Sequence, residues 1–100
     1  MKASRLFYDK ARTRDGFIVE MTIWRLPRKD PERPHGLKCN LFFGRPGERL
    51  VGYDNERGKG DHKHVMSREF TYRFRSVEQL MKDFLSDVAA VRCVLAERKE

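Results

Sequence analysis

The C-terminal quarter of the chain carries the pattern that most restricts the fold. Apolar residues recur at intervals of three and four after Ser76, which is the spacing that lines one side of an α-helix of about five turns. Ser76 and Gln79 have the spacing of a capping box, which predicts that the helix begins at Val77. A helix with such a stripe must bury it against a second layer. The stripe consists of Val77, Leu80, Met81, Phe84, Leu85, Val88, Val91 and Leu95.

The preceding part of the chain has an alternating pattern that can form this second layer. Apolar and polar residues alternate in several short runs, as they do in strands with one buried face. The turn signals Asp15-Gly16 and Gly44 to Gly47 separate neighbouring runs, which indicates antiparallel hairpins. Segment 27–36 contains three prolines and is predicted to be a surface loop. The predicted strands cover residues 6–13, 17–24, 37–43, 49–54, 61–66 and 69–75.

These elements predict an α+β fold in two layers. An antiparallel meander sheet of five to six strands has one long C-terminal helix packed on one of its faces. One hundred residues supply one hydrophobic core and not two, so we expect a single domain over residues 1–100. The second face of the sheet would carry Trp24 and Phe42, which leaves a homodimer through this face as an option.

The charge of the chain indicates the chemistry of its partners. Twenty-two lysines and arginines against 15 carboxylates give a net charge of +7, which attracts polyanions such as nucleic acid, or an acidic protein. No apolar run is long enough to cross a bilayer, and the N-terminus lacks the apolar core of a secretion signal. We therefore expect no membrane partner, a cytoplasmic location, and free thiols at Cys39 and Cys93.

Reactive side chains are concentrated between Val51 and Val65. His62 and His64 are two residues apart, so in an extended segment their rings project to one side of the sheet and Lys63 to the other. Two uses fit this pair. One is metal-independent acid–base catalysis, in which one imidazole takes a proton while the other gives one, as cleavage of RNA through its 2′-hydroxyl requires. The alternative is a divalent metal ion held by both histidines with Asp54 or Asp61.

The neighbours of the two histidines suggest further roles. Lys59 and Arg57 would stabilise the negative charge of a phosphorane, and Asp54 would orient a histidine. The glycines Gly58 and Gly60 either let the backbone approach a phosphate or simply form a hairpin tip. We also predict a basic track with a stacking surface for an RNA backbone. The nucleic-acid contacts predicted in total are Tyr53, Asn55, Arg57, Gly58, Gly60, Lys63, Arg68, Arg73 and Arg75.

Four stretches of the chain resemble a known family. They are DGFIVEMTIWRLP, PHGLKCNLFF, VGYDNERGKGDHKH and YRFRSVEQLMKDFLSDV, and the resemblance extends from about Lys2 to Val91. The sequence is similar to the TumE-like toxins of type II toxin–antitoxin systems. This resemblance implies a cognate antitoxin, typically with a helix-turn-helix DNA-binding part. It also implies a site within the matched motif, at Tyr53, Asp54, Asn55, Lys59, Gly60, His62 and His64.

The function expected from these observations is that of a toxin that acts on RNA. His62 would serve as base and His64 as acid, with Lys59 and Asp54 assisting, and no cofactor would be needed. The ribonuclease activity is inferred from the charge and the histidines, not from the family resemblance. The alternative is a non-catalytic basic module that docks nucleic acid or an acidic protein.

Overall fold

The computed structural model describes residues 2–31, 33–55 and 59–98. Six antiparallel strands form one sheet in the order of the chain, and a long helix follows them. This is the predicted meander with a C-terminal helix. The elements are β1 (Ser4–Arg12), β2 (Ile18–Arg25), β3 (Leu37–Arg45), β4 (Glu48–Asp54), β5 (His62–Val65), β6 (Arg68–Thr71) and α1 (Val77–Glu97).

The core lies between α1 and one face of the sheet. The buried helix residues Leu80, Phe84, Val88 and Val91 follow each other at intervals of four and three, as the stripe predicted. They meet the apolar face of β2, β3 and β4, where the Tyr53 ring lies edge-on to Phe84 at 5.6 Å. The buried residues of this sheet face are Met21, Ile23, Cys39, Leu41, Phe43, Val51 and Tyr53.

The buried stripe of the helix is narrower than predicted. Leu85 was expected in the stripe, but 45% of its surface is exposed. Successive helix residues are about 100° apart around the axis, so Leu85 points away from the line through Phe84 that contacts the sheet. A helix lying across a sheet contacts it along one line of side chains, which explains why a broad apolar stripe is only partly buried.

The last strand is shorter than predicted. We expected it to extend to Arg75, but β6 ends at Thr71, and its Phe70 is exposed. The chain then leaves the sheet, and the Tyr72 hydroxyl donates a hydrogen bond of 2.6 Å to Asp83 on the helix. Tyr72 and Phe74 therefore pack against the core from a connecting segment and not from a strand.

The second face of the sheet has no helix packed on it among the described elements. It carries Tyr8 and the half-buried Trp24, with the Arg5 guanidinium 5.0 Å and 5.9 Å from the two ring centres. Tyr8 also donates a hydrogen bond to Glu20 across the strand pair. A homodimer through this face stays a prediction. Across the described residues, no helix has both the length and the apolar character that a membrane crossing requires.

Candidate functional site

Three adjacent strands bring two histidines and two carboxylates together on the face of the sheet opposite the helix. In the register of β4 and β5, Asp54 lies opposite His62, and in that of β5 and β6, His64 lies opposite Glu69. Residues in register point to the same face, so all four side chains share it. As predicted, the two imidazole rings lie side by side, with their centres 5.3 Å apart. We call Asp54, His62, His64 and Glu69 the histidine–carboxylate cluster.

His62 is the most buried member of the cluster, with only 6% of its surface exposed. Its Nδ1 lies 3.0 Å from the carbonyl oxygen of Gly60. Since a carbonyl only accepts, Nδ1 carries the proton of this bond and Nε2 faces the cluster. Gly60 has a φ of 69°, in the left-handed region that glycine adopts without strain. This backbone conformation, at the residue preceding Asp61 and β5, presents the carbonyl to His62.

Carboxylate oxygens surround Nε2 of His62. It is in close contact with Oδ1 of Asp54 and lies 3.7 Å from Oε2 of Glu69. Oδ1 of Asp54 is itself buried and has no hydrogen-bond partner among the described residues. This buried carboxylate oxygen thus lies directly against Nε2 of His62, and either a proton or a cation between the two atoms would stabilise the contact.

Glu69 is the solvent-exposed member of the cluster. Its Oε2 lies 3.3 Å from Nε2 of His64 and 3.5 Å from Nζ of the exposed Lys59. Partial desolvation raises the pKa of Glu69, but the charge and hydrogen bond of Lys59 and the charges of the imidazoles outweigh it, so this pKa lies below its usual value. An open cleft of about 340 Å³ lies beside the cluster and is lined by Lys59, His62, Glu69, Phe70 and Thr71. A ligand in this cleft would reach His62, Glu69 and Lys59 together.

Two other predicted site residues lie on the opposite face of the sheet. Tyr53 and Lys63 are in register with each other and both contact Asp87 of the helix. The Tyr53 hydroxyl donates to this carboxylate, and Nζ of Lys63 lies 3.0 Å from the same oxygen. The structure therefore separates these side chains from the histidine–carboxylate cluster, in agreement with the prediction that Lys63 projects away from the histidines.

Asn55 is buried and bonded entirely to backbone. Its Oδ1 accepts a hydrogen bond from the N–H of Cys39, and its Nδ2 donates to the carbonyl of Leu37. With 2% of its surface exposed, the side chain joins the end of β4 to the start of β3. This placement gives Asn55 a structural role directly beside Asp54.

The predicted basic residues lie along the edge of the sheet and the following segment. Arg68 and Arg73 are exposed, and Arg75 is 3.4 Å from Asp83 of the helix. The guanidinium of Arg68 lies 5.8 Å from the ring centre of Phe70. Arg68 belongs to the edge strand β6 but is in register with Val65, so its side chain lies on the face opposite the cluster, and Arg73 and Arg75 belong to the segment after β6. The predictions for Arg57 and Gly58 fall outside the described residues.

A second pair of histidine and aspartate lies outside the cluster. Nε2 of His35 is 3.0 Å and 3.1 Å from the two carboxylate oxygens of Asp61. Its Nδ1 accepts from the N–H of Leu37, so the proton of the neutral ring is on Nε2 and is donated to Asp61. Asp61 is thus engaged away from His62 and His64. Burial, with the charge of Asp61, raises the pKa of the Cys39 thiol to about 12.

Glu69 is the functional candidate that the sequence reasoning missed. The alternation around it indicated only a polar, outward-facing position. The signal was the two-residue turn at Met66 and Ser67, because a hairpin with this turn places Glu69 directly opposite His64. Reading the register across that turn would have added Glu69 to the two histidines.

The comparisons with known proteins identify a family over almost the whole chain. The family model described as Toxin TumE matches residues 2–92. A search of curated proteins and a search of solved structures gave no significant match. The match covers all six strands and most of the helix, and it implies a cognate antitoxin. The chain therefore belongs to the TumE toxin family.

Proposed function

We propose that this chain is the toxin of a toxin–antitoxin pair and that it cleaves RNA at the histidine–carboxylate cluster. The observation that carries the proposal is the pair of adjacent imidazoles, each beside its own carboxylate, next to an open cleft. Family membership supports the toxin role, and the net charge of +7 favours a polyanionic substrate. The proposed partner is an antitoxin with a helix-turn-helix DNA-binding part.

The proposed reaction is transfer of a phosphodiester to the neighbouring 2′-hydroxyl. His62 takes the proton of this hydroxyl, and the 2′-oxygen attacks the phosphorus. The bond from phosphorus to the 5′-oxygen breaks, and His64 gives a proton to that oxygen. The products are a 2′,3′-cyclic phosphate and a free 5′-hydroxyl, so atoms and charges balance without a metal ion.

The groups around the histidines support these roles. The Asp54 carboxylate stabilises the imidazolium that His62 becomes, and Glu69 orients His64 in the same way. Lys59 lines the cleft and can leave Glu69 to face the phosphorane, whose negative charge it stabilises. The exposed Arg68 of β6, with Arg73 and Arg75 of the segment after it, adds positive charge that would attract the RNA backbone.

The test is cleavage of RNA by the purified full chain in EDTA. We expect His62→Ala and His64→Ala each to lower the rate by about 100-fold or more, since a positioned acid or base contributes this much. Lys38→Ala is a matched control, because Lys38 is an exposed cation on the same sheet face in the neighbouring strand β3. Equal rates in the wild type and in both histidine variants would contradict the mechanism, as would a wild type that cleaves no RNA.

The second candidate function is a non-catalytic basic module. It is favoured by three exposed cations in β6 and the segment after it, Arg68, Arg73 and Arg75. This candidate requires RNA binding that weakens with salt and no turnover. Expression of the chain without its antitoxin separates the two candidates: growth arrest that disappears in the His62→Ala, His64→Ala double variant supports the catalytic toxin.

A further inference from the structure

We infer that the histidine–carboxylate cluster binds one divalent transition-metal ion of the Zn²⁺ class through His62, His64 and Glu69, and that the bound ion inhibits the cleavage proposed above. The inhibitory half of this inference rests on the proposed function. The binding half rests on the geometry of the cluster alone.

The donor atoms already have the spacing of a metal site. One ligand atom from each of His62, His64 and Glu69 lies within 4.8 Å of the other two. Oε2 of Glu69 is 3.3 Å from Nε2 of His64 and 3.7 Å from Nε2 of His62. In a tetrahedral site with metal–ligand bonds of about 2.0–2.2 Å, neighbouring ligand atoms are about 3.3–3.6 Å apart. The two separations from Glu69 therefore already lie close to those of a tetrahedral site.

The hydrogen bond of His62 prepares it as a ligand. Nδ1 donates to the carbonyl of Gly60, which fixes the ring orientation and leaves Nε2 as the free donor atom. Metal-binding histidines in proteins are held in this way, by a backbone carbonyl or a carboxylate on the other ring nitrogen. Nε2 of this buried ring faces carboxylate oxygens of both Asp54 and Glu69. A lone pair directed at two carboxylates is stabilised by a cation between them.

The buried Oδ1 of Asp54, which is in close contact with Nε2 of His62, adds to this support. It has no hydrogen-bond partner among the described residues, although it lies in a place where water is largely excluded. An ion bound at Nε2 of His62 would lie close enough to attract this oxygen, either as a fourth ligand or as a charge partner. Two imidazoles with one or two carboxylates suit Zn²⁺ and related ions better than Mg²⁺ or Ca²⁺, which prefer oxygen ligands.

Lys59 is the group that competes with the ion. Its Nζ lies 3.5 Å from Oε2 of Glu69 and would be repelled by a bound cation. The lysine is exposed, so its side chain can move into solvent at little cost. Metal binding therefore replaces the weak surface ion pair between Lys59 and Glu69 with a bond from Glu69 to the metal ion.

Metal binding excludes acid–base catalysis at the same atoms. A nitrogen whose lone pair is bonded to a metal ion can neither take a proton nor give one. With Nε2 of His62 and Nε2 of His64 both occupied, proton transfer to and from the RNA stops. Loss of cleavage should therefore follow the fraction of chains that hold an ion.

The experiment is a titration of the EDTA-stripped, dialysed full chain with Co²⁺ and Zn²⁺. Co²⁺ reports the ligand geometry through its visible absorption, and calorimetry with Zn²⁺ reports stoichiometry and affinity. We expect one ion per chain, a tetrahedral Co²⁺ spectrum that Zn²⁺ abolishes, and a higher melting temperature. Glu69→Gln and His64→Ala should each weaken binding at least tenfold. Glu48→Gln is the matched control, because Glu48 is an exposed carboxylate paired with Arg45 at 3.8 Å.

The outcomes separate this inference from the proposed function. A wild type without saturable binding, or variants with unchanged affinity, would overturn the metal site and leave the cleavage proposal intact. If the EDTA-stripped, dialysed chain cleaves RNA and continues to do so after one equivalent of Zn²⁺ has bound, the inhibition is overturned. A chain that binds the ion but never cleaves RNA in EDTA would instead overturn the proposed function and retain the site.

Discussion

At the scale of single residues, the side chain of Asn55 fixes the end of β4, beside the candidate site. Asn55 follows Asp54 directly, and its amide satisfies the N–H of Cys39 and the carbonyl of Leu37. A buried backbone group that loses its partner costs about 1–3 kcal/mol, because it has given up water without compensation. The position of Asp54 thus depends on a neighbour that lies outside the cluster.

We predict that Asn55→Ala lowers the free energy of unfolding by about 2 kcal/mol or more, since two backbone groups lose their partners at once. Urea denaturation of the full chain measures the change. Asn40→Ala, at an exposed asparagine of β3 in register with Asp54, should remain within about 0.5 kcal/mol of the wild type. Equal effects of the two substitutions would contradict the structural role of Asn55.

At the scale of elements, the start of α1 illustrates what local sequence can predict. The N–H of Gln79 donates to Oγ of Ser76 at 3.1 Å, as the capping box requires. In a full capping box the Gln79 side chain would also bond to the backbone N–H of Ser76. Here this side chain donates instead to Asp83, at 2.7 Å. Asp83 also accepts hydrogen bonds from Tyr72 and Arg75, so the glutamine joins a network that fixes the connection between β6 and the helix.

Ser76→Ala should reduce the free energy of unfolding by about 1 kcal/mol, because a helix N–H loses its acceptor. Thermal unfolding followed by circular dichroism provides the measurement. Ser86→Ala, at an exposed position within the same helix, serves as the control and should leave stability unchanged or raised, since alanine is the better helix former. A Ser76 variant as stable as the wild type would show that the cap contributes nothing.

At the scale of the whole molecule, two tyrosines, one in β4 and one in the segment after β6, are hydrogen-bonded to the helix. Tyr53 donates to Asp87 and Tyr72 donates to Asp83. Burial, and next the hydrogen bond and charge of the aspartate, raises the pKa of each tyrosine above its ordinary value of 10.0. The hydrogen bond from Tyr72 in turn contributes most to holding the pKa of Asp83 below its usual value. These hydrogen bonds to the helix are therefore sensitive to high pH, at which tyrosine loses its proton.

We predict that stability falls as the pH rises above about 10. Each tyrosine holds its proton more tightly in the folded chain, so the unfolded chain loses the proton first and alkali favours unfolding. Below the unfolded pKa this contribution is fully present. Denaturation midpoints measured across the alkaline range should fall steeply for the wild type and less steeply for Tyr53→Phe, Tyr72→Phe. An identical alkaline loss in that double variant would assign the effect to other groups.

Much of the fold could be predicted from the sequence, because hydrophobic periodicity and turn residues act locally. The alternation at Met21 and Ile23, the prolines of the loop and the stripe after Ser76 each specify an element before any contact is made. Antiparallel neighbours joined by short turns then leave few topologies open, and the meander is the simplest of them. The errors occurred where tertiary contacts overrode the local pattern, at Leu85 and beyond Thr71.

The candidate site was only partly predictable, since its geometry depends on register and on burial. The spacing of His62 and His64 was sufficient to place both rings on one side of the sheet. The tertiary structure decided that Lys63 contacts Asp87 of the helix and that Asn55 bonds to backbone, and it fixed the register that brings Glu69 to the histidines. These outcomes depend on strand register and on packing against the helix, and a shift of one residue in register would reverse every side chain of β5.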